Sequence, residues 1–433
     1  MCCDSFKVTH DHRGVLPASA GGKGLAVEGY TTLKWPTHGV ATKTVVSDLA
    51  WNLAPLAGVT AQVADLVHIA AGAYMTDRNT PRGKRFSRDL ALKAAVLAPQ
   101  VWTDELLDMV GDLLGWLTGD EWDLSVTPAP AADLPDTIPA VQGAGLVSLL
   151  SGGLDSFLGA IDLLKSGQVP QFIGHKDTAP SVRHAQSVVG GWVQRSFTPV
   201  PSYSRFALSQ AESAAERSSR SRSLMFLALG VASAVSSGTT SVVIPENGYT
   251  GINLPLRPNR GGALSTRSTH PETFHRVTQI LEVLGIGVTI TNPFEWMTKG
   301  EVMAKVAAGS PPSGWEEAAA LTLSCSKLDG NYYGASPNYN CGLCVPCLVR
   351  RATFLKAGIA DKSVYVCDAV TRESLDRLID TRRGDIEAVK YAIETGVDAD
   401  AIDAGTWPPG YDLDRAEGLV QRGLDELALL TLP

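Results

Sequence analysis

Leu146-Val-Ser-Leu-Leu-Ser-Gly-Gly-Leu-Asp-Ser156 is the stretch from which the rest of the chain can be read. Leu146 to Leu150 is apolar but for Ser148, the length of a buried strand. Ser151, Gly152 and Gly153 carry almost no bulk, and Leu154, Asp155 and Ser156 open a helical pattern that runs to about Lys165. Strand, glycine turn and helix start together build an anion site. Free backbone N–H groups and the positive end of the helix dipole both point at the turn. The paired glycines let the backbone approach a phosphate closely, and Ser151 and Ser156 add hydroxyl donors. Asp155 would repel phosphates unless a cation lay between them, so the stretch implies a nucleotide held with Mg²⁺. It lacks the Lys-Ser/Thr ending of a Walker A loop. An ordinary strand-to-helix turn with Asp155 as its cap accounts for the same residues without a ligand.

Downstream, strand and helix patterns alternate, which predicts a parallel sheet with covering helices. Gln171 to Lys176 reads as a second strand, and His175 at its end lies where open parallel sheets bind ligands. Arg220-Ser-Arg222-Ser223 precedes the apolar run from Leu224 to Val235. Arginine at a helix start opposes the dipole, and a bound pyrophosphate would offset that by accepting bidentate hydrogen bonds. Ser241 to Pro245 is a third strand. The long Asn-, Pro- and Gly-containing loop after it gathers Glu246, Asn247, Asn253, Arg267, Thr269 and His270, and a loop of that length inside a domain points to substrate binding. Gly287 to Thr291 forms a further strand. Thr298 then caps a helix, with Glu301 as its capping-box partner, and this places Lys299 in the first turn.

Cys325, Cys341, Cys344 and Cys347 include a C-x-x-C-x-x-C run. In a chain without a visible export signal this spacing argues for metal rather than disulfides. Four thiolates suit a closed, structural tetrahedral Zn²⁺, and an iron–sulfur cluster fits the same spacing. Cys2, Cys3 and Cys367 are left as free thiols.

The flanks are plainer. The chain has 433 residues, a formal charge of −8 and 44% hydrophobic residues, a composition ordinary for a cytoplasmic globular protein of more than one domain. No apolar run is long enough to span a bilayer, so no membrane partner is expected. The net charge gives no reason to expect direct nucleic-acid binding. Residues 1–126 read as an accessory module with helices over Val59 to Ala73 and Asp104 to Leu117. Residues 127–145 form a linker, four prolines falling between Thr127 and Pro139. The α/β domain covers 146–356, and 357–433 reads as a helical extension.

Ser151-Gly-Gly-Leu-Asp-Ser156 resembles the SGGxDS loop of the PP-loop ATP pyrophosphatases. The Arg222 helix entry, Lys299 and the four cysteines just before Leu348-Val-Arg-Arg narrow the resemblance to the 7-cyano-7-deazaguanine synthases, the QueC family, over residues 146–356. The resemblance implies the adenine nucleotide alpha hydrolase-like fold, a parallel sheet with helices on both faces. It implies ATP and Mg²⁺ bound by Ser151, Gly152, Gly153, Leu154, Asp155, Ser156, His175, Arg222 and Lys299, with Asp155, Arg222 and Lys299 catalytic. A deazaguanine-type substrate would meet Glu246, Asn247, Asn253, Arg267 and His270, and Zn²⁺ would be structural.

Three departures stand out. The accessory module and helical tail are additions, Glu246-Asn-Gly-Tyr-Thr-Gly-Ile-Asn253 lacks the biosynthetic Gly-Tyr-Pro-Asp-Cys pattern, and Cys325 lies further from Cys341 than usual. In its whole length the chain is more similar to the QueC-like component of the Qat anti-phage defence systems. That likeness implies adenylylation of a deazaguanine carboxylate and its transfer to an amine, on a small partner protein of the same system. Free nitrile synthesis from 7-carboxy-7-deazaguanine and ammonia, or a non-catalytic nucleotide-binding scaffold, are the alternatives.

Overall fold

The computed structural model describes residues 5–9, 30–35, 45–54, 56–83, 87–129, 145–210, 216, 220–258 and 266–433. Most of the linker and the Cys2-Cys3 pair lie outside them.

The accessory region opens with β1 (Ser5–Thr9), β2 (Tyr30–Lys34) and β3 (Val45–Ser47), followed by α1 (Ala61–Asn79). β4 (Asp89–Val96), α2 (Asp104–Thr118) and β5 (Glu121–Pro128) complete it. A four-stranded sheet runs in the order β2-β1-β4-β5, antiparallel except for the β4–β5 pair. Both expected helices are present, capped by Thr60 and Thr103, whose hydroxyls accept from Val63 N and Leu106 N. The strands around them were not expected. Asp89 to Val96 buries Leu90, Leu92 and Ala94 with the residues between them more open, and Glu121 to Thr127 alternates polar and apolar residues, so a period of two marks both strands.

The central domain begins with β6 (Leu146–Leu149), α3 (Leu154–Lys165), β7 (Pro170–His175) and α4 (Pro180–Ser196). It continues through β8 (Tyr203–Phe206), β9 (Leu208–Gln210), α5 (Arg222–Ser236) and β10 (Ser241–Val243). α6 (Gly248–Ile252), α7 (Pro271–Val283), β11 (Thr289–Thr291) and α8 (Lys299–Ala308) follow. Five strands form one sheet in the order β11-β10-β6-β7-β8, every pair parallel. Its central strands are buried and apolar, as strands covered on both faces must be. Successive side chains alternate between faces. Val147, Ile173 and Val242 pack with α5, α7 and α1, while Phe172 packs with α3, α4 and α8.

The chain enters this sheet at β6 in the middle, winds outward to β8, then returns across to β10 and β11. The order reverses between β6 and β10, and open α/β sheets bind ligands at the carboxyl ends of strands flanking such a reversal. The loop carrying Ser151 to Leu154 leaves β6 at that point, and Glu246 and Asn247 leave β10 beside it.

α9 (Trp315–Ala320) leads into the cysteine segment, and α10 (Val345–Ala357) runs out of it. Then come α11 (Val366–Ala369), α12 (Arg372–Thr395), α13 (Ala399–Asp403) and α14 (Leu413–Leu427). The accessory region and the tail are both fastened to the central domain. β3 pairs with β9, α1 lies on α5, and α14 packs with α10 and α6. A row of rings joins them: His270 lies between Trp116 and Trp407, Trp407 stacks on Tyr411, and Tyr411 stacks on Trp296. Among the described residues no helix is long and apolar enough to cross a membrane.

Candidate functional site

The glycine turn is closed by its own serines. Ser156 Oγ accepts from Ser151 N at 3.2 Å and donates to Gly153 O at 3.0 Å, while Ser151 Oγ accepts from Gly153 N at 3.3 Å. Gly152 has φ +89°, and a Cβ there would sit 2.9 Å from Gln186 N, so only glycine fits both the backbone and the space. Gly153 caps α3 without a side chain, which leaves the helix start open toward the turn.

Asp155, in the first turn of α3, is buried and is the hub of the site. Its Oδ2 lies 2.6 Å from Lys299 Nζ, and its Oδ1 accepts from Asn247 Nδ2 at 2.9 Å. Lys299 is itself buried at the start of α8, where the dipole disfavours a cation, and Asp155 supplies the compensating charge. Asn247 also caps α6 by accepting from Thr250 N at 3.0 Å. Thr250 Oγ1 in turn donates to Glu246 Oε1 at 3.1 Å. Burial, with the negative charge of Asp155 second, pushes the Glu246 carboxyl up to about 8, against the opposing pull of Lys299. Two carboxylates, one ammonium and one amide therefore converge beside a glycine turn, from three separate chain segments. Thr250, invisible in the sequence reading, is the hydroxyl that ties Glu246 to Asn247. The expected irregular loop is here a short helix, because Asn247 supplies its cap.

The remaining expected residues fall into two further groups. His175, at the end of β7, is buried between Tyr74 of α1 and Phe226 of α5, and its Nε2 bonds Leu208 O at 2.9 Å. Burial holds its pKa below the usual histidine range. Gln186 Nε2 donates to His175 O at 2.7 Å, so the residue under Gly152 also fixes the end of β7. Arg222 stands on the first turn of α5, donates to Asp177 Oδ2 at 2.7 Å and lies over the Phe226 ring. Asp177, two residues past β7, was not singled out in the sequence; its position just after a strand end was the available signal. Asn253, Arg267 and His270 engage other partners. Asn253 Nδ2 donates to Thr266 O, and Arg267 stacks on Trp116 at 3.9 Å while donating to Trp116 O. His270 caps α7 through Nδ1, which accepts from Glu272 N, and burial pushes its pKa down to about 4.

The four cysteines form a second centre. All are buried, and their sulfurs lie within 4.8 Å of one another. Sγ–Sγ separations of 3.9 Å (Cys325–Cys344) and 3.8 Å (Cys341–Cys347) match the edge of a tetrahedron of sulfurs about 2.3 Å from a central zinc. Backbone N–H groups of Cys341 and Cys344 point at the sulfurs of Cys325 and Cys341, which favours thiolates. The group could hold a metal such as zinc, with no open position for a substrate. This centre also reaches the glycine turn. Leu323, two residues before Cys325, donates its N–H to Gly152 O at 3.0 Å. The fully buried Arg350 holds that segment by donating to Thr322 Oγ1 at 2.6 Å, Ala319 O at 2.6 Å and Ser363 Oγ at 2.8 Å.

No protein-family model matches the chain, and no curated protein is significantly similar to it. Its chemistry must be argued from the site. A glycine turn at an open helix start, a buried carboxylate–lysine pair and a second carboxyl group meet at a sheet reversal, an arrangement with the donors a phosphorylated ligand would need. No serine or cysteine nucleophile paired with a histidine is found among the described residues of this cluster.

Proposed function

We propose that the chain is an ATP-dependent enzyme of the PP-loop, QueC-like class, which adenylylates a 7-deazaguanine carboxylate and passes it to an amine. The observation that carries this reading is the convergence of Asp155, Lys299, Asn247 and Glu246 on the glycine turn at the sheet reversal. The strand order and the SGGLDS loop support the PP-loop class; the additions at both ends and the altered pocket loop favour a defence-associated role over free nitrile synthesis.

On this reading the turn and the start of α3 hold the ATP phosphates with backbone N–H groups. Mg²⁺, held through Asp155, would supply neutralising charge at the phosphates. A carboxylate oxygen of the substrate attacks the α-phosphorus, the bond to the β-phosphate bridging oxygen breaks, and pyrophosphate leaves with that electron pair. Lys299, released from its contact with Asp155, and Arg222 stabilise charge on the leaving group. An amine nitrogen then attacks the acyl carbon, its proton is lost, and AMP departs, leaving an amide. Holding two reactants in register provides most of the acceleration, since a covalent intermediate with the protein is not needed. Glu246 and Asn247 would meet the deazaguanine, while the cysteine centre stays structural.

The acceptor we propose is a terminal amine on a small partner protein of an anti-phage system. Intact-mass spectrometry of that partner, co-expressed with the wild-type chain and with Asp155→Ala, tests this. A mass increase equal to a deazaguanine amide, absent with the variant, is expected. An unmodified partner alongside free 7-cyano-7-deazaguanine would place the chain among nitrile synthases, and an unmodified partner in a stable complex would leave a scaffold.

A further inference from the structure

The two cations flagged by the sequence each stand on the first turn of a helix, Arg222 on α5 and Lys299 on α8. In both cases the residue that holds the helix start comes from outside the central domain. Glu426, on α14 of the tail, is buried, and its Oε2 accepts from Gly300 N at 3.2 Å. Its Oε1 accepts from the hydroxyl of Thr298, the cap of α8. The carboxylate thus flanks Lys299 on both sides along the chain. Gly300 leaves room for it, since a Cβ there would lie 2.5 Å from Glu426 Oε1. Arg422, one turn earlier on α14, adds a bond from Nε to Glu301 Oε1 at 2.7 Å.

The accessory region does the same at α5. Asp77, in the last turn of α1, is fully buried, and its Oδ2 accepts from Ser221 Oγ at 2.7 Å and Ser221 N at 3.3 Å. Ser221 is the cap of α5 and makes no capping bond within its own helix. Arg88 locks Asp77 in place by donating to Oδ1 at 2.6 Å. Helix starts that carry a cation are electrostatically disfavoured, and a buried carboxylate at each offsets this.

We infer that the accessory region and the helical tail are working parts of the site, each supplying one positioning carboxylate, Asp77 for Arg222 and Glu426 for Lys299. Neither touches the reacting atoms; each sets the direction of a helix start and so of its cation. The inference deepens the adenylylation reading and rests on it for the roles of Arg222 and Lys299.

The test is a pair of double-variant cycles on the full-length chain. Pyrophosphate release with 7-carboxy-7-deazaguanine is measured for Glu426→Ala, Lys299→Met and both together, with ATP binding sites counted by calorimetry so that only competent molecules are compared. Asp77→Asn, Arg222→Met and their combination form the second cycle, and Ser221→Ala serves as a milder variant that leaves the Arg88 contact intact. We expect at least a tenfold loss of kcat for Glu426→Ala with KM for ATP within threefold. The combined variant is expected to be no slower than Lys299→Met within twofold. Asp77→Asn should behave in the same way with respect to Arg222→Met, and Ser221→Ala should give a smaller loss.

Native-state amide exchange supplies an arm independent of activity. Gly300 N–H in Glu426→Ala, and Ser221 N–H in Asp77→Asn, should exchange at least fivefold faster while helix α3 keeps its protection. Multiplicative losses in both cycles, or exchange that rises uniformly across the chain, would overturn the inference. A wild-type chain that releases no pyrophosphate defeats the adenylylation reading instead. The exchange arm then decides the positioning claim by the same two outcomes.

Discussion

Removing one ligand of the cysteine centre should be felt at the glycine turn. The two sulfur–sulfur edges of 3.8 and 3.9 Å, divided by the tetrahedral ratio of about 1.63, give metal–sulfur bonds of about 2.3–2.4 Å, the zinc–thiolate value. Binding of a structural zinc contributes about 10–16 kcal/mol, comparable to the whole stability of a domain, about 5–15 kcal/mol. Cys344→Ser should therefore release the segment before α10 rather than merely weaken it. Leu323 lies in that segment, and its bond to Gly152 O is the direct link to the turn. A single such bond contributes about 1 kcal/mol, so opening of the Leu323 amide should rise at least about fivefold. The assays are metal content, X-ray absorption at the metal edge, and amide exchange at Leu323 in wild type and Cys344→Ser. We expect one zinc per chain with four sulfur neighbours, its loss in the variant, and faster exchange at Leu323. Iron with a metal–metal shell would refute the zinc geometry. Unchanged exchange at Leu323 in a zinc-free variant would refute the coupling to the turn.

Three further outcomes follow from individual residues. His270 has its pKa pushed from 6.5 down to about 4, chiefly by burial, so the unfolded chain binds a proton that the folded one refuses across that window. Stability should fall as pH drops from about 6.5 to about 4, by about 3 kcal/mol in all, and His270→Asn should flatten this slope in denaturant titrations. Glu246 has the opposite sign. Its pKa is raised from 4.5 to about 8, so the folded chain holds the extra proton and loses stability as pH rises through that range; Glu246→Gln should be more resistant to urea than wild type at pH 8.5 and indistinguishable from it at pH 4.5. Gly300→Ala, which in an open helix would gain about 1 kcal/mol, should instead lower the melting temperature, because its Cβ would lie 2.5 Å from Glu426 Oε1 and 2.6 Å from Lys356 Cγ.

What could be read from the sequence was what is local. The strand, glycine turn and helix at Leu146 to Lys165 are set by neighbours in the chain, as is the Thr298–Glu301 capping box, which forms with both of its bonds. The cysteine spacing likewise carries its geometry with it, since three of four ligands come from one tight run. The parallel sheet and the helical tail were legible from alternation of pattern. What could not be read depends on contacts across the fold. The Asp155–Asn247 bond joins residues 92 apart, and Glu426 reaches Thr298 over a separation of 128. No period or motif marks a buried glutamate in an amphipathic helix as the cap of another helix. The strands of the accessory sheet were legible and were missed: Glu121 to Thr127 alternates polar and apolar residues, and β4 buries Leu90, Leu92 and Ala94 in the same period of two. The polarity of the loop does not announce that Arg267 bonds and stacks on Trp116, 151 residues away, or that His270 caps α7.

The central claim is that Asp155 and its neighbours split ATP between the α and β phosphates for a carboxylate substrate. The most direct measurement is product analysis of ATP turnover by the full-length chain with Mg²⁺ and 7-carboxy-7-deazaguanine, beside Asp155→Ala. The account predicts AMP and pyrophosphate in equal amounts, dependent on the acid and lost in the variant. ADP with inorganic phosphate, or AMP formation that survives Asp155→Ala, would contradict it.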